Sequence, residues 1–235
     1  MPIIRAALRT APNGYVALVG DSHAEFLGTP DFGGRSCVNL GIGGSTAADC
    51  ARHLASLHPD AGATAAVLFV GTNDILRWRH PDRPTAADCF TDDVDRILQT
   101  LSAWAEQIFV AAVPPIGPWT TGRDPAAVIA FTERLRALCG RSGFTFFDPF
   151  AGIRDGASGF ALAGLHRDGF HLADYPGLAK EVVRLVSLRV APSQVPTIRA
   201  ASTSTRDRHP RASNRTFGAV RLRFYPTTPA RSLDC

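Results

Sequence analysis

The sequence predicts a doubly wound, three-layer α/β/α sandwich, and three observations predict it. Short apolar runs recur along the chain, helical patterns fill the gaps between them, and glycine-rich or polar segments follow the ends of the runs. The runs are Tyr15–Val19, Ser36–Leu40, Ala65–Val70, Ile108–Val113 and Phe144–Phe147. They read as continuous rather than alternating, as expected of five parallel strands covered on both faces. Repeated strand–helix units then place helices on either side of one sheet. Ligands of such sheets bind beyond the carboxyl ends of the strands.

The helices follow in order. Ser45 is positioned to cap a helix whose Cys50, Leu54 and Leu57 share a face and which stops before Pro59. Thr85 with Asp88 resembles a capping box, and behind it Phe90, Val94, Ile97, Leu98, Leu101 and Trp104 form a helical stripe. That stripe is core material. Further helices are expected near 125–139 and 176–189.

Composition bounds the function. Apolar residues make up 45% of the 235, enough for a real core, and no run is long enough to span a membrane. Met1 to Gly14 has neither the apolar stretch nor the small-residue cleavage site of a secretion signal. The five cysteines, Cys37, Cys50, Cys89, Cys139 and Cys235, are far apart and form no C-x-x-C. This predicts reduced, mostly buried thiols in a cytoplasmic protein, without a disulfide framework or zinc site. The net charge of +4 is concentrated in residues 191–235, where eight arginines face two aspartates. That Arg-, Ser-, Thr- and Pro-rich tail is expected to be disordered, leaving one domain over 1–190. The domain alone is slightly acidic, which gives no sign of nucleic-acid binding.

Four polar segments carry the chemistry. Gly20-Asp-Ser22-His23 follows the first strand, so Ser22 faces the ligand crevice, with Gly20 permitting a sharp turn. Asn39-Leu-Gly41-Ile-Gly43-Gly44 follows the second and exposes backbone N–H groups. Gly71-Thr-Asn73-Asp74 follows the third and presents an amide side chain. Asp168-Gly-Phe-His171 precedes the last helix, and its carboxylate can reach the Nδ1 of a histidine three residues on. A serine hydroxyl needs a base, here His171, and the base needs an orienter, here Asp168. An oxyanion needs preorganised donors, which the N–H groups of Ser22 and Gly44 and the side chain of Asn73 supply. Every part of an acyl-transfer site is therefore present, with no cofactor or metal required.

The same residues resemble the SGNH hydrolase (GDSL-like esterase/lipase) superfamily. Its G-D-S block matches Gly20 to Ser22, and the glycine of its second block falls on Gly44. Its G-x-N-D block matches Gly71 to Asp74, and its D-x-x-H block matches Asp168 to His171. All four stand in the family's order. Asn39 to Thr46 is most similar to the branch containing platelet-activating-factor acetylhydrolase subunits and carbohydrate acetylesterases. The resemblance implies a flavodoxin-like five-stranded sheet and metal-independent hydrolysis of esters. It departs from the frequent D-G-x-H-P at Leu172, which leaves the catalytic residues intact.

Neighbouring residues are weighed against these. Asp21 is expected to bind loop N–H groups and point away from Ser22. His23 is expected at the surface or on the crevice wall. His166 lacks a carboxylate three positions upstream, so His171 is preferred as the base. Arg77, Trp78 and Trp119 follow strand exits and either line the pocket or pack ordinary loops. An O-acyltransferase on the same machinery is the alternative activity. A dinucleotide-binding module is disfavoured because the third glycine of Gly41-Ile-Gly43 would fall on Thr46. No G-x-S-x-G elbow is present for an α/β-hydrolase. The expected partner is a small ester, short-chain or acetyl.

Overall fold

A computed structural model describes residues 2–190. The tail expected over 191–235 lies outside the described residues. The elements run α1 (Pro2–Thr10), β1 (Tyr15–Gly20), α2 (Ser22–Phe26), β2 (Cys37–Gly41), α3 (Ala47–Ala55) and β3 (Ala63–Phe69). They continue with α4 (Pro84–Ser102), β4 (Ala105–Ala111), α5 (Pro125–Ser142), β5 (Thr145–Phe147) and α6 (Tyr175–Ser187). The five strands form one all-parallel sheet in the order β2-β1-β3-β4-β5. Helices cover both faces, giving the three-layer α/β/α sandwich.

The continuous apolar runs have the predicted cause. Every residue of β1 is buried. Tyr15, Ala17 and Val19 join Leu68, Ile108 and Val110 in a core beneath α1, α3, α4 and α5. Val16 and Leu18 join Val67, Phe69 and Phe109 beneath α2 and α6. With side chains alternating between faces and both faces covered, neither face tolerates polar residues. The stripe of α4 packs as expected, with Phe90 stacked on Phe131 of α5 at 4.4 Å between ring centroids. Helix α4 ends before Trp104, which packs partly buried against the same core.

Several local expectations move. The cap of α3 is Thr46, not Ser45. Thr46 and Asp49 form a reciprocal capping box, because the acidic residue stands three positions after Thr46. The Thr85–Asp88 box does not form. Pro84 opens α4 with its fixed φ and no N–H to satisfy, and Asp88 pairs instead with Arg134. Helix α1 was not anticipated; it buries Leu8 and rests Ile4 and Ala7 on the core. Cys37, Cys50 and Cys139 are free thiols. No helix among the described residues is long and apolar enough to cross a membrane.

Candidate active site

The order of the sheet puts its reversal between β1 and β3, the position where such sheets bind ligands. Ser22 leaves β1 there, and Asn73 follows β3. The exit of β1 depends on Gly20 at φ +133°, where a Cβ would run into the Phe69 carbonyl. Asp21 then caps α2, its Oδ1 accepting the His23 N–H at 2.9 Å. This starts a helix at Ser22, which is itself buried.

From the opposite side comes the loop before α6. His171 Nε2 lies 3.0 Å from Ser22 Oγ, and His171 Nδ1 lies 2.7 Å from Asp168 Oδ2. Asp168 Oδ1 accepts the N–H groups of His171 at 2.8 Å and Phe170 at 3.3 Å. Burial pushes the Asp168 carboxyl upward. The hydrogen bonds from the His171 N–H and ring and from the Phe170 N–H, with the nearby imidazole charge, outweigh it and bring it to about 2. An ionised carboxylate only accepts, so the proton between it and His171 sits on Nδ1. In the neutral ring Nε2 is then a lone pair facing a hydroxyl. Ser22 and the Asp168–His171 segment, from two distant parts of the sequence, thus form one hydrogen-bonded chain. Phe170 and Phe26 flank the imidazole with ring centroids 4.1 and 5.0 Å away.

The glycine turn lies beside the serine. Asn39 ties β2 to α2, its Nδ2 donating to Ala24 O at 2.7 Å and Gly28 O at 2.6 Å. Gly41 passes so close to α2 that a Cβ would strike the backbone of Ala24 and Glu25. A Cβ on Gly43 would sit 3.8 Å from the Ser22 Cβ. Gly44 adopts φ +78°. Asn73 is buried behind this turn, and its Nδ2 donates to Ser45 O at 3.0 Å. Asp74 accepts the Ala47 N–H through both oxygens, at 3.1 and 3.2 Å, and burial pushes its carboxyl up to about 7.

The remaining candidates separate. His166 directs Nε2 at Pro115 O, 3.0 Å away, rather than at Ser22. His23 is not at the surface but fully buried, with Nδ1 3.1 Å from the Tyr175 hydroxyl. Burial, with help from the charge of His171, lowers it to about 3, so it is a neutral packing residue. Asp21 is buried and its carboxyl is pushed up to about 7 by desolvation. Trp78 and Arg77 are exposed. Trp119 is 88% exposed and borders a cavity of ≈ 360 Å³ with Thr120, His166, Arg167 and Asp168. Sequence reasoning missed Phe26, Tyr175 and Arg123, whose partners stand far away in the chain. Among the described residues, no three His, Cys, Asp or Glu side chains gather as a metal-binding group.

Residues 6–175 match the GDSL-like lipase/acylhydrolase family model. Comparison with curated proteins finds no match. Several solved structures share the fold. One is a Streptococcus pneumonia protein described provisionally as a platelet activating factor, at 19% identity and TM-score 0.66, covering 79% of this chain and 90% of that one. A lipase/acylhydrolase from Enterococcus faecalis aligns at 16% identity and TM-score 0.60, over 77% and 99% of the two chains. Est24, a carbohydrate acetylesterase from Sinorhizobium meliloti, aligns at 15% identity and TM-score 0.54, over 76% and 99%.

Proposed function

The chain belongs to the GDSL-like lipase/acylhydrolase family and is a hydrolase acting on ester bonds, and from that premise we propose a serine esterase working through an acyl-enzyme on Ser22. The observation that carries the reading is the chain Ser22 Oγ–His171 Nε2, 3.0 Å, and His171 Nδ1–Asp168 Oδ2, 2.7 Å. Ser22 Oγ attacks the ester carbonyl as His171 Nε2 takes its proton. The carbonyl electrons move onto oxygen, and that oxyanion is met by the N–H groups of Ser22 and Gly44 and the amide of Asn73. Collapse breaks the bond to the alcohol, which leaves with the proton from His171. Water repeats the sequence on the acyl-serine and releases the acid. Asp168 stays ionised throughout and stabilises the transient imidazolium.

Short-chain and acetyl esters fit best. The connection β2–α3 and helix α2, which flank Ser22 on one side, are both short, which favours a small acyl group there. The fold neighbours named as acetylesterases support the same substrate class. Hydrolysis of nitrophenyl acetate, compared with butyrate and octanoate esters, tests this. The reading expects activity falling with chain length and lost in Ser22→Ala; preference for octanoate overturns the substrate class, and an active Ser22→Ala overturns the nucleophile.

A further inference from the structure

We propose that Arg123 is a positioning residue that holds the Asn73 amide in its donating orientation. The proposal rests on the reading of Asn73 as an oxyanion donor. Arg123 lies on the loop between β4 and α5 and is only 7% exposed. Its Nε donates to Thr72 O at 2.8 Å, and its Nη2 donates to Asn73 Oδ1 at 3.2 Å. The guanidinium carbon stands 3.6 Å from the centroid of the Phe170 ring. No carboxylate forms an ion pair with it among the described residues. A buried cation is costly to desolvate, yet this one is spent on an amide oxygen, a carbonyl and a ring face.

The chemistry of that choice is directional. A guanidinium has donors and no acceptor, so the atom of Asn73 facing it must be Oδ1. The NH₂ group is then forced to the other side, where one N–H meets Ser45 O at 3.0 Å. The second N–H is left for the oxyanion. Positive charge at Oδ1 also polarises the amide and strengthens its N–H donors. The support for Arg123 is rigid. Arg77 N–H donates to Gly122 O at 3.0 Å, and Asp124 N–H donates to Ile75 O at 3.0 Å, which fixes the loop against the segment after Asn73. The same loop holds the Asp168–His171 turn, through Gly117 N–H to Gly169 O at 2.6 Å and the Thr120 hydroxyl to Gly169 O at 2.5 Å. Arg123 thus joins the amide to the histidine loop through Phe170.

The test is steady-state hydrolysis of nitrophenyl acetate by Arg123→Met, Arg123→Lys, Asn73→Ala and the Asn73→Ala/Arg123→Met double variant, with melting temperatures alongside. Loss of one oxyanion donor costs about 10²–10³ in kcat, so Arg123→Met is expected to lose about 10²-fold with KM within about threefold of wild type. The double variant is expected to be no more than about threefold slower than Asn73→Ala alone, because both remove one donor. Arg123→Lys keeps the charge but not the fork, and loses about tenfold at unchanged KM. Effects that multiply in the double variant, or a change confined to KM, overturn the proposal. If Arg123→Met fails to fold, Arg123→Lys decides: wild-type kcat overturns it. If Asn73→Ala itself keeps wild-type kcat, the oxyanion reading has failed and the proposal falls with it. A slow Asn73→Ala beside a fast Arg123→Met sinks only the role of Arg123.

Discussion

Replacing Asp168 by Asn removes one charge and reverses one hydrogen bond, and the structure says how the new amide must sit. Asp168 uses Oδ1 for two backbone N–H groups, from His171 at 2.8 Å and Phe170 at 3.3 Å, and Oδ2 for His171 Nδ1 at 2.7 Å. Asn has a single oxygen. Facing two backbone donors, that oxygen takes the Oδ1 position and turns its NH₂ toward Nδ1. The imidazole must then accept at Nδ1 and carry its proton on Nε2, facing the Ser22 hydroxyl it was to deprotonate. Loss of the carboxylate charge adds to this. A unit charge pair at 4 Å is worth about 1 kcal/mol in water and about 4 kcal/mol near a protein surface. The side chains of His171 and Asp168 are 18% and 47% exposed, between those limits. Wrong-tautomer triads lose up to ~10⁴, and the half-exposed carboxylate lowers that here to about 10³ in kcat/KM. The assay is nitrophenyl acetate hydrolysis near neutral pH, with the melting temperature as control. The backbone bonds to the loop survive, so Asp168→Asn is expected to melt within a few degrees of wild type. A loss of less than about tenfold, with folding intact, refutes the orienting role of Asp168.

Other expectations follow from the same structure. His166→Ala keeps most of the activity while His171→Ala abolishes turnover, in the same hydrolysis assay. Gly41→Ala places a methyl against the Ala24 and Glu25 backbone and is expected to destabilise by about 2 kcal/mol or more, read by urea denaturation. Leu98→Ala empties a fully buried site in α4 and is expected to cost about 2–5 kcal/mol without changing KM. Asp21 has a folded-state pKa raised from 3.8 to about 7. Its protonated form is favoured by folding, so its contribution is full below 3.8 and is lost as pH rises through about 7. Asp21→Asn, which cannot ionise, is therefore expected to flatten the fall of melting temperature over that window; an unchanged slope contradicts it. A chain ending at Val190, the last of the described residues in the core under α6, is expected to melt and turn over like the full chain.

The strands were legible because burial on both faces leaves only apolar residues, as in the fully buried Tyr15–Gly20. Ser22, Gly44 and Asn73 were legible because they follow strand exits, which topology rather than local propensity brings together, and Asp168 and His171, on the loop before α6, were legible through their three-residue spacing. What escaped the sequence depended on competition or distance. Ser45 and Thr46 are both good caps, and only the reach of Asp49 selects Thr46. Thr85 lost to a proline that fixes the helix start two residues earlier, with Arg83 at the cap position. His23 reads as a loop residue beside the nucleophile, yet the Tyr175 hydroxyl, 152 positions away, gives it a buried partner. Arg123 contacts Asn73 from 50 positions away, and no local pattern announces such a pairing.

The nucleophile is the point on which the account stands. The most direct measurement treats the folded protein with a fluorophosphonate and locates the adduct by peptide mass spectrometry, with His171→Ala run in parallel. The account predicts one modified residue, Ser22, with labelling strongly slowed in His171→Ala, because the hydroxyl 3.0 Å from Nε2 loses its base. An adduct on Ser45 or Ser158 with Ser22 unmodified, or labelling of Ser22 at the same rate without His171, would contradict it.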